Sequence, residues 1–118
     1  MKTHELTGPA LDWAVQKILF ARLEYVKPWV LERHAAGDPC GSASTDWSQG
    51  GPIIEREWLD VTPWPNESDE DLRWVCEHHD FKACKTSGPT PLVAAMRCFC
   101  LAVLGEEVEV PENLLSQP

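Results

Sequence analysis

The stretch that most restricts what this chain can fold into is "GPTPLVAAMRCFCLAVLG", residues 88–105. Thr90 offers a hydroxyl to cap free N–H groups, Pro91 sits where its missing donor does no harm, and Gly105 supplies a left-handed stop. The spacing predicts a helix over 90–104, and within 92–104 only Arg97 is polar. A helix apolar nearly all round must be covered on more than one side. The chain can supply one cover from a sheet and one from another helix. If those do not suffice, the remaining face is a homodimer interface. Arg97 needs an acceptor or a path to water, because burying a guanidinium unpaired is strongly unfavourable. A loop carboxylate is the natural partner, and Asp46 is one candidate.

The second cover is legible near the N-terminus. Thr7-Gly8-Pro9 has the form of a helix start, and Leu11, Ala14, Val15, Ile18, Leu19 and Arg22 recur at three- and four-residue spacing. The pattern predicts a helix over 7–26, ended by the proline at 28. A short second helix is expected over 28–36, with Gly37 just past its end. Residues 37–52 hold glycines at 37, 41, 50 and 51 and prolines at 39 and 52, and are expected to form an extended loop. Strands are expected over 58–64 and 73–79, joined by the acidic turn "PNESDED" into an antiparallel hairpin with tryptophans on its buried face. "EEVEVP" at 106–111 suits a short edge strand, and a polar tail begins near 112. The fold class is therefore α+β, two main helices on a small antiparallel β-sheet, as one domain over 1–118.

Net charge narrows the partners. Ten Lys+Arg against nineteen Asp+Glu leave −9, which repels phosphate backbones, so direct nucleic-acid binding is not expected. An acidic protein can still dock on a basic surface, and nucleic-acid mimicry is the extreme of that idea. It requires the acids of 66–71 and 106–112 to line one face. No stretch reaches the ~18 apolar residues of a membrane span, and Met1-Lys2-Thr3-His4-Glu5 lacks the apolar run of a signal peptide. The expectation is cytoplasmic residence with reduced thiols at Cys40, Cys76, Cys84, Cys98 and Cys100.

The residues that carry chemistry are few. Cys76, His78, His79 and Cys84 have zinc-ligating types, but the spacing C-x-H-H-x4-C is not that of a common structural site, and on a strand His79 points away from Cys76 and His78. No metal, cofactor or catalytic residue is expected. The candidate ligand or partner site is instead "TDWSQGGP" at 45–52 with its flanks: Asp46, Trp47, Gln49, Gly50, Gly51, Glu55 and Arg56, together with Arg97. Two readings compete for it. In one it is a structural clamp, with Asp46 and Gln49 tying down turns, Trp47 filling the core and the two glycines adopting angles closed to other residues. In the other the same groups face an open cleft.

The segments "LTGPALDWAV" (6–15), "STDWSQGGPIIERE" (44–57) and "GPTPLVAAMRCF…LGEEVEVP" (88–111) together resemble the NinX-type family of small phage and prophage proteins. The resemblance implies an accessory protein acting in the cytoplasm of an infected bacterium, and it brings no activity, cofactor or substrate with it. The leading expectation is a non-enzymatic module that binds a host or phage protein, with a homodimer through the 90–104 helix as an option. The alternative is a small enzyme or ligand-binding protein using the 45–52 loop with Arg97. Acidic mimicry is the third.

Overall fold

A computed structural model describes residues 1–79 and 84–115. In chain order the elements are α1 (Gly8–Ala21), α2 (Pro28–Ala35), α3 (Trp47–Glu57), β1 (Leu59–Pro63), β2 (Trp74–His78), β3 (Lys85–Gly88), α4 (Pro91–Leu104) and α5 (Glu112–Leu115), with 3-10 turns at Thr3–Glu5 and Glu70–Leu72. The fold is α+β, with helices packed on an antiparallel sheet of order β1-β2-β3.

α4 is the centre of the core. Thr90 Oγ1 accepts from Val93 N at 3.1 Å, Pro91 opens the first turn, and Gly105 ends the helix at φ +88°. Every residue from Leu92 to Cys100 is buried. The sheet covers one side of the helix; α1 and the N-terminal segment around the fully buried Thr3 and Leu6 cover the other. Removing Phe99, Met96, Leu11 and Leu6 wholly from water contributes roughly 1.5–3 kcal/mol for each large side chain. These covers leave only the last turn, Leu101 to Leu104, partly open, with Val103 exposed. The face that a homodimer through this helix would need is confined to that turn.

The sheet register explains how the helix approaches it. Leu59 pairs with His78, Val61 with Cys76 and Cys76 with Thr86, and these residues face α4, while Asp60, Thr62, Glu77 and Lys85 face solvent. A Cβ on Gly88 would lie 2.8 Å from Ala94 N, so β3 and α4 meet backbone to backbone. Thr86 Oγ1 reinforces the contact by donating to the Ala94 carbonyl at 2.7 Å.

Several expectations change. The first helix stops at Ala21, not near 26: residues 21–25 are all exposed, so no burial holds another turn, and the chain unwinds through Arg22 and Leu23. Thr7 makes no side-chain cap. The extended loop ends at Asp46, because α3 begins at Trp47 and includes Gly50, Gly51 and Pro52. The Asp46 cap and tight packing at Gly50 outweigh the unfavourable propensity of "GGP". The tryptophans do not form the buried face. Trp64 is exposed, Trp58 lies outside the sheet at 73% exposure, and only Trp74 is half-buried. Smaller inward residues let α4 sit close. The edge strand at 106–111 reduces to a single bridge between Lys2 and Glu107, flanked by Val108 N to Met1 O at 2.9 Å. In the stretch expected as a polar tail, α5 buries Leu114 against the core.

Candidate functional site

Ser42, Asp46, Ser48 and Gln49 share a connected set of hydrogen bonds, while the buried Ser44 Oγ beside them has no hydrogen-bond partner among the described residues. Asp46 Oδ1 accepts from Ser48 N at 2.9 Å and from Ser48 Oγ at 2.7 Å, which caps α3. Gln49 Oε1 accepts from Ser42 N at 2.8 Å, and Gln49 Nε2 donates to Ser42 Oγ at 2.9 Å and Asp46 Oδ2 at 3.3 Å. The Ser48 hydroxyl and then its amide hold the Asp46 carboxyl below the usual carboxylate range, because they stabilise the charged form. The set is anchored to α1 by a residue that sequence reasoning missed. Asp12, buried on the first turns of α1, accepts from Ser44 N at 2.9 Å. Burial pushes the Asp12 carboxyl up, against the lowering effect of Ser44.

The other members of the predicted site do not converge on this set. Trp47 is 57% exposed and fills no core position. Gly50 and Gly51 have no positive φ. Gly50 serves close packing, since a Cβ there would lie 2.4 Å from Ala43 O and 2.6 Å from Leu92 Cδ2. Glu55 and Arg56 are exposed on α3, and Arg56 reaches its neighbour Glu57 at 3.6 Å. Glu57 also meets Arg22 at 2.9 Å.

Arg97 does not pair with Asp46. Its Nε donates to Leu6 O at 2.7 Å, and NH1 donates to Ser87 O at 2.8 Å and to Asp71 Oδ1 at 2.9 Å. One guanidinium thus ties the N-terminal segment, β3 and the hairpin turn to α4. The acids of that turn bond locally although Asp69, Glu70 and Asp71 are exposed. Glu67 Oε1 accepts from Asp69 N at 3.4 Å and Asp69 Oδ1 from Asp71 N at 3.0 Å, while Asp71 holds Arg97.

Cys76, Cys98, Cys100, His34 and His78 are buried, while His4 and His79 reach solvent. Cys76 and Cys98 are fully buried and neighbours, and Cys98 Sγ donates to Cys84 O at 3.5 Å. The Cys98 contact and burial push the Cys76 thiol far above its ordinary range, while burial does the same to Cys100, so neither is a ready thiolate. His79 faces outward beside Trp58, with ring centroids 6.2 Å apart. Among the described residues no group of three or more His, Cys, Asp or Glu is placed to hold a metal ion.

Large apolar side chains reach solvent elsewhere. Leu23, Tyr25, Trp29 and Leu31 are 58%, 72%, 57% and 44% exposed, all at the α1–α2 corner. Within α2 only His34 is buried. Its ring stacks on Trp13 at 4.6 Å and 2°, with Phe20 edge-on at 5.3 Å. His34 Nε2 donates to Trp13 O at 2.9 Å, and Trp13 Nε1 donates to His34 O at 2.7 Å. One histidine therefore fastens an otherwise superficial helix. The α1 periodicity, which extends in sequence through Leu23 and Val26, concealed the fact that those positions lie past the helix end.

Among the described residues no helix is long and apolar enough to cross a membrane. No curated protein matches the chain. The family model described as "Bacteriophage P22, NinX" matches residues 2–102, a span that takes in the 42–50 set, Arg97 and the α1–α2 corner alike. The chain belongs to the NinX family of phage proteins.

Proposed function

We propose that this phage accessory protein works by binding another protein in the bacterial cytoplasm and not by catalysis. The observation that carries this reading is the state of the Asp46, Ser48, Gln49 and Arg97 side chains: each is engaged by its own chain. A ligand site needs convergent polar groups left open to the ligand, and a general acid or base needs a reachable proton. The large side chains exposed at the α1–α2 corner are of the kind that anchor protein interfaces.

The test is crosslinking and capture of the tagged protein from phage-infected bacteria, with native mass measurement of the purified material. A defined protein crosslinked to this chain in near-equal amount is the expected result. A small molecule retained in equal amount, and lost in Asp46→Ala and Gln49→Ala, overturns the reading in favour of a ligand site. Recovery of neither overturns it too.

A further inference from the structure

We infer that the outer face of the sheet, centred on Trp64, is the docking surface, and that its occupant is a basic peptide segment of a partner protein. The inference rests on the reading of the protein as a binding module and adds to it a place and a chemistry. α4 covers one face of the sheet. On the other, strand pairing sets Asp60 beside Glu77 and Lys85, and Thr62 beside Val75 and Ser87. Trp64 extends the ladder by one step, its N–H donating to Arg73 O at 2.6 Å. It is 53% exposed and borders two depressions. One, of about 190 Å³, has Asp60, Val75 and Glu77 in its wall; the other, of about 370 Å³, has Pro63, Pro65 and Glu67. An indole with carboxylates on either side suits a Lys or Arg side chain, since the ring face attracts the cation and the carboxylates accept its N–H groups.

Charge selects the partner, and the count holds after pairing. Residues 59–78 carry Asp60, Glu67, Asp69, Glu70, Asp71 and Glu77 against Arg73 alone. The neighbouring cations are already engaged: Arg73 with Glu70 at 4.0 Å, Lys85 with Glu77 at 3.7 Å and Arg97 with Asp71 at 2.9 Å. Asp60, Glu67 and Asp69 are left without a cation among the described residues. The local surplus and the net charge of −9 therefore have the same sign. Both steer a basic segment here, and both repel a phosphate backbone or a second copy of this face. The α1–α2 corner exposes more large apolar side chains but selects no charge. With Arg22 held by Glu57 and Arg33 by Asp38, Lys17 and Lys27 there stand against Glu24 and Glu32. The acids of 106–112 have the right sign, but that stretch holds no aromatic residue.

The experiment is selection of a displayed library of random dodecapeptides on the folded protein, followed by NMR mapping and titration of a synthetic winner. The expected winners are rich in Lys and Arg, and their shifts concentrate in residues 60–77 and the Trp64 indole N–H. Trp64→Ala weakens the winner roughly tenfold, and Asp60→Asn with Glu67→Gln does the same, while circular dichroism shows both variants folded. Glu24→Gln with Glu32→Gln, the same change of charge placed at the corner, weakens it less than about twofold in ~0.15 M salt. Equal losses from the two charge pairs, indifference to Trp64→Ala, shifts elsewhere, or neutral or acidic winners overturn the site. No enrichment at all overturns it as well. These outcomes leave the wider reading intact if infected cells still yield a crosslinked partner. Binding of oligo-dT at Trp64, or concentration-dependent self-association lost in Trp64→Ala, overturns the choice of occupant.

Discussion

Residues 42–50 and the α1–α2 corner have opposite relations to solvent. The first is a run of small polar residues that looks made for a ligand, yet its side chains bond one another and the backbone beneath them. The second continues the apolar pattern of a core helix, yet leaves Leu23, Tyr25, Trp29 and Leu31 in water. Polarity and availability are different properties. A polar group with its hydrogen bonds made has little left for a partner, whereas an apolar group in water gains from any partner that covers it. Function in this molecule is therefore sought where apolar side chains lack cover.

The comparison breaks most decisively at Arg97. Arg97→Ala removes the donor from two backbone carbonyls, the buried Leu6 O and the part-buried Ser87 O, and the loss of such bonds costs roughly 1–3 kcal/mol each. The pair with Asp71 adds less, since that carboxylate is half in water. A total loss of about 3 kcal/mol is expected in urea unfolding. Trp29→Ala, although it removes a far larger apolar group, is expected to stay within about 0.5 kcal/mol. Equal losses in the two variants would end the contrast.

His34 fastens the corner to α1. His34→Ala deletes the stacked ring and the bond to Trp13 O, and a loss of about 2 kcal/mol is expected from the cavity and the orphaned carbonyl. Hydrogen exchange sharpens the test. Amides of 28–36 lose protection first, because nothing else in α2 is buried, while those of 92–100 follow global unfolding. Uniform loss would show that α2 is held by more than this residue.

Adjacent glycines give a finer test. Gly50→Ala places a methyl against Ala43 O and the Leu92 side chain, and the backbone oxygen cannot step aside, so a loss of about 1–3 kcal/mol is expected. Gly51→Ala meets nothing nearer than Trp47 Cε3 at 3.8 Å and gains roughly 0.5–1 kcal/mol of helix propensity. Thermal unfolding of the pair reads the difference, and equal shifts would remove the close-packing role of Gly50.

The sequence pattern made α4 legible because its stop and start signals are local: a capping hydroxyl, a first-turn proline and a terminal glycine. β1 and β2 were legible for the same reason, bounded by turn residues. What stayed hidden depends on contacts distant in sequence. Gly50 and Gly51 look like loop residues until Ala43 and Leu92 are seen against the first of them. "KTSG" carries little strand propensity, and β3 forms because it pairs with β2 and because Gly88 lets α4 come close. At the candidate site the local bonds of Asp46 and Gln49 were legible from residue type, since Asp and Gln bond nearby groups in turns, whereas the exposed Trp47 and the ordinary angles of Gly50 and Gly51 were not. That Arg97 takes Asp71 and not Asp46 followed from neither type nor spacing, as many carboxylates are available to one guanidinium. The corner was hidden by its own periodicity.

The smallest expected effect separates the two carboxylates that hold the 42–50 segment. Asp46 is held below its ordinary value by the Ser48 hydroxyl and amide, so its contribution to stability is present above about pH 4 and lost as pH falls through the folded pKa. Asp12 is raised by burial, so its contribution is present below about pH 4 and lost as pH rises through its folded value. Asp46→Asn keeps an acceptor for Ser48 N but no longer titrates, and it flattens the acid limb of the stability curve. Asp12→Asn keeps an acceptor for Ser44 N, and it flattens the decline on the rising side. Urea midpoints taken across pH 3–7 for the two variants should therefore diverge from wild type in opposite directions. Divergence in the same direction would mean that the Asp12 carboxyl is governed by its Ser44 bond and not by burial, and the segment would then be fastened at both ends by the same electrostatics.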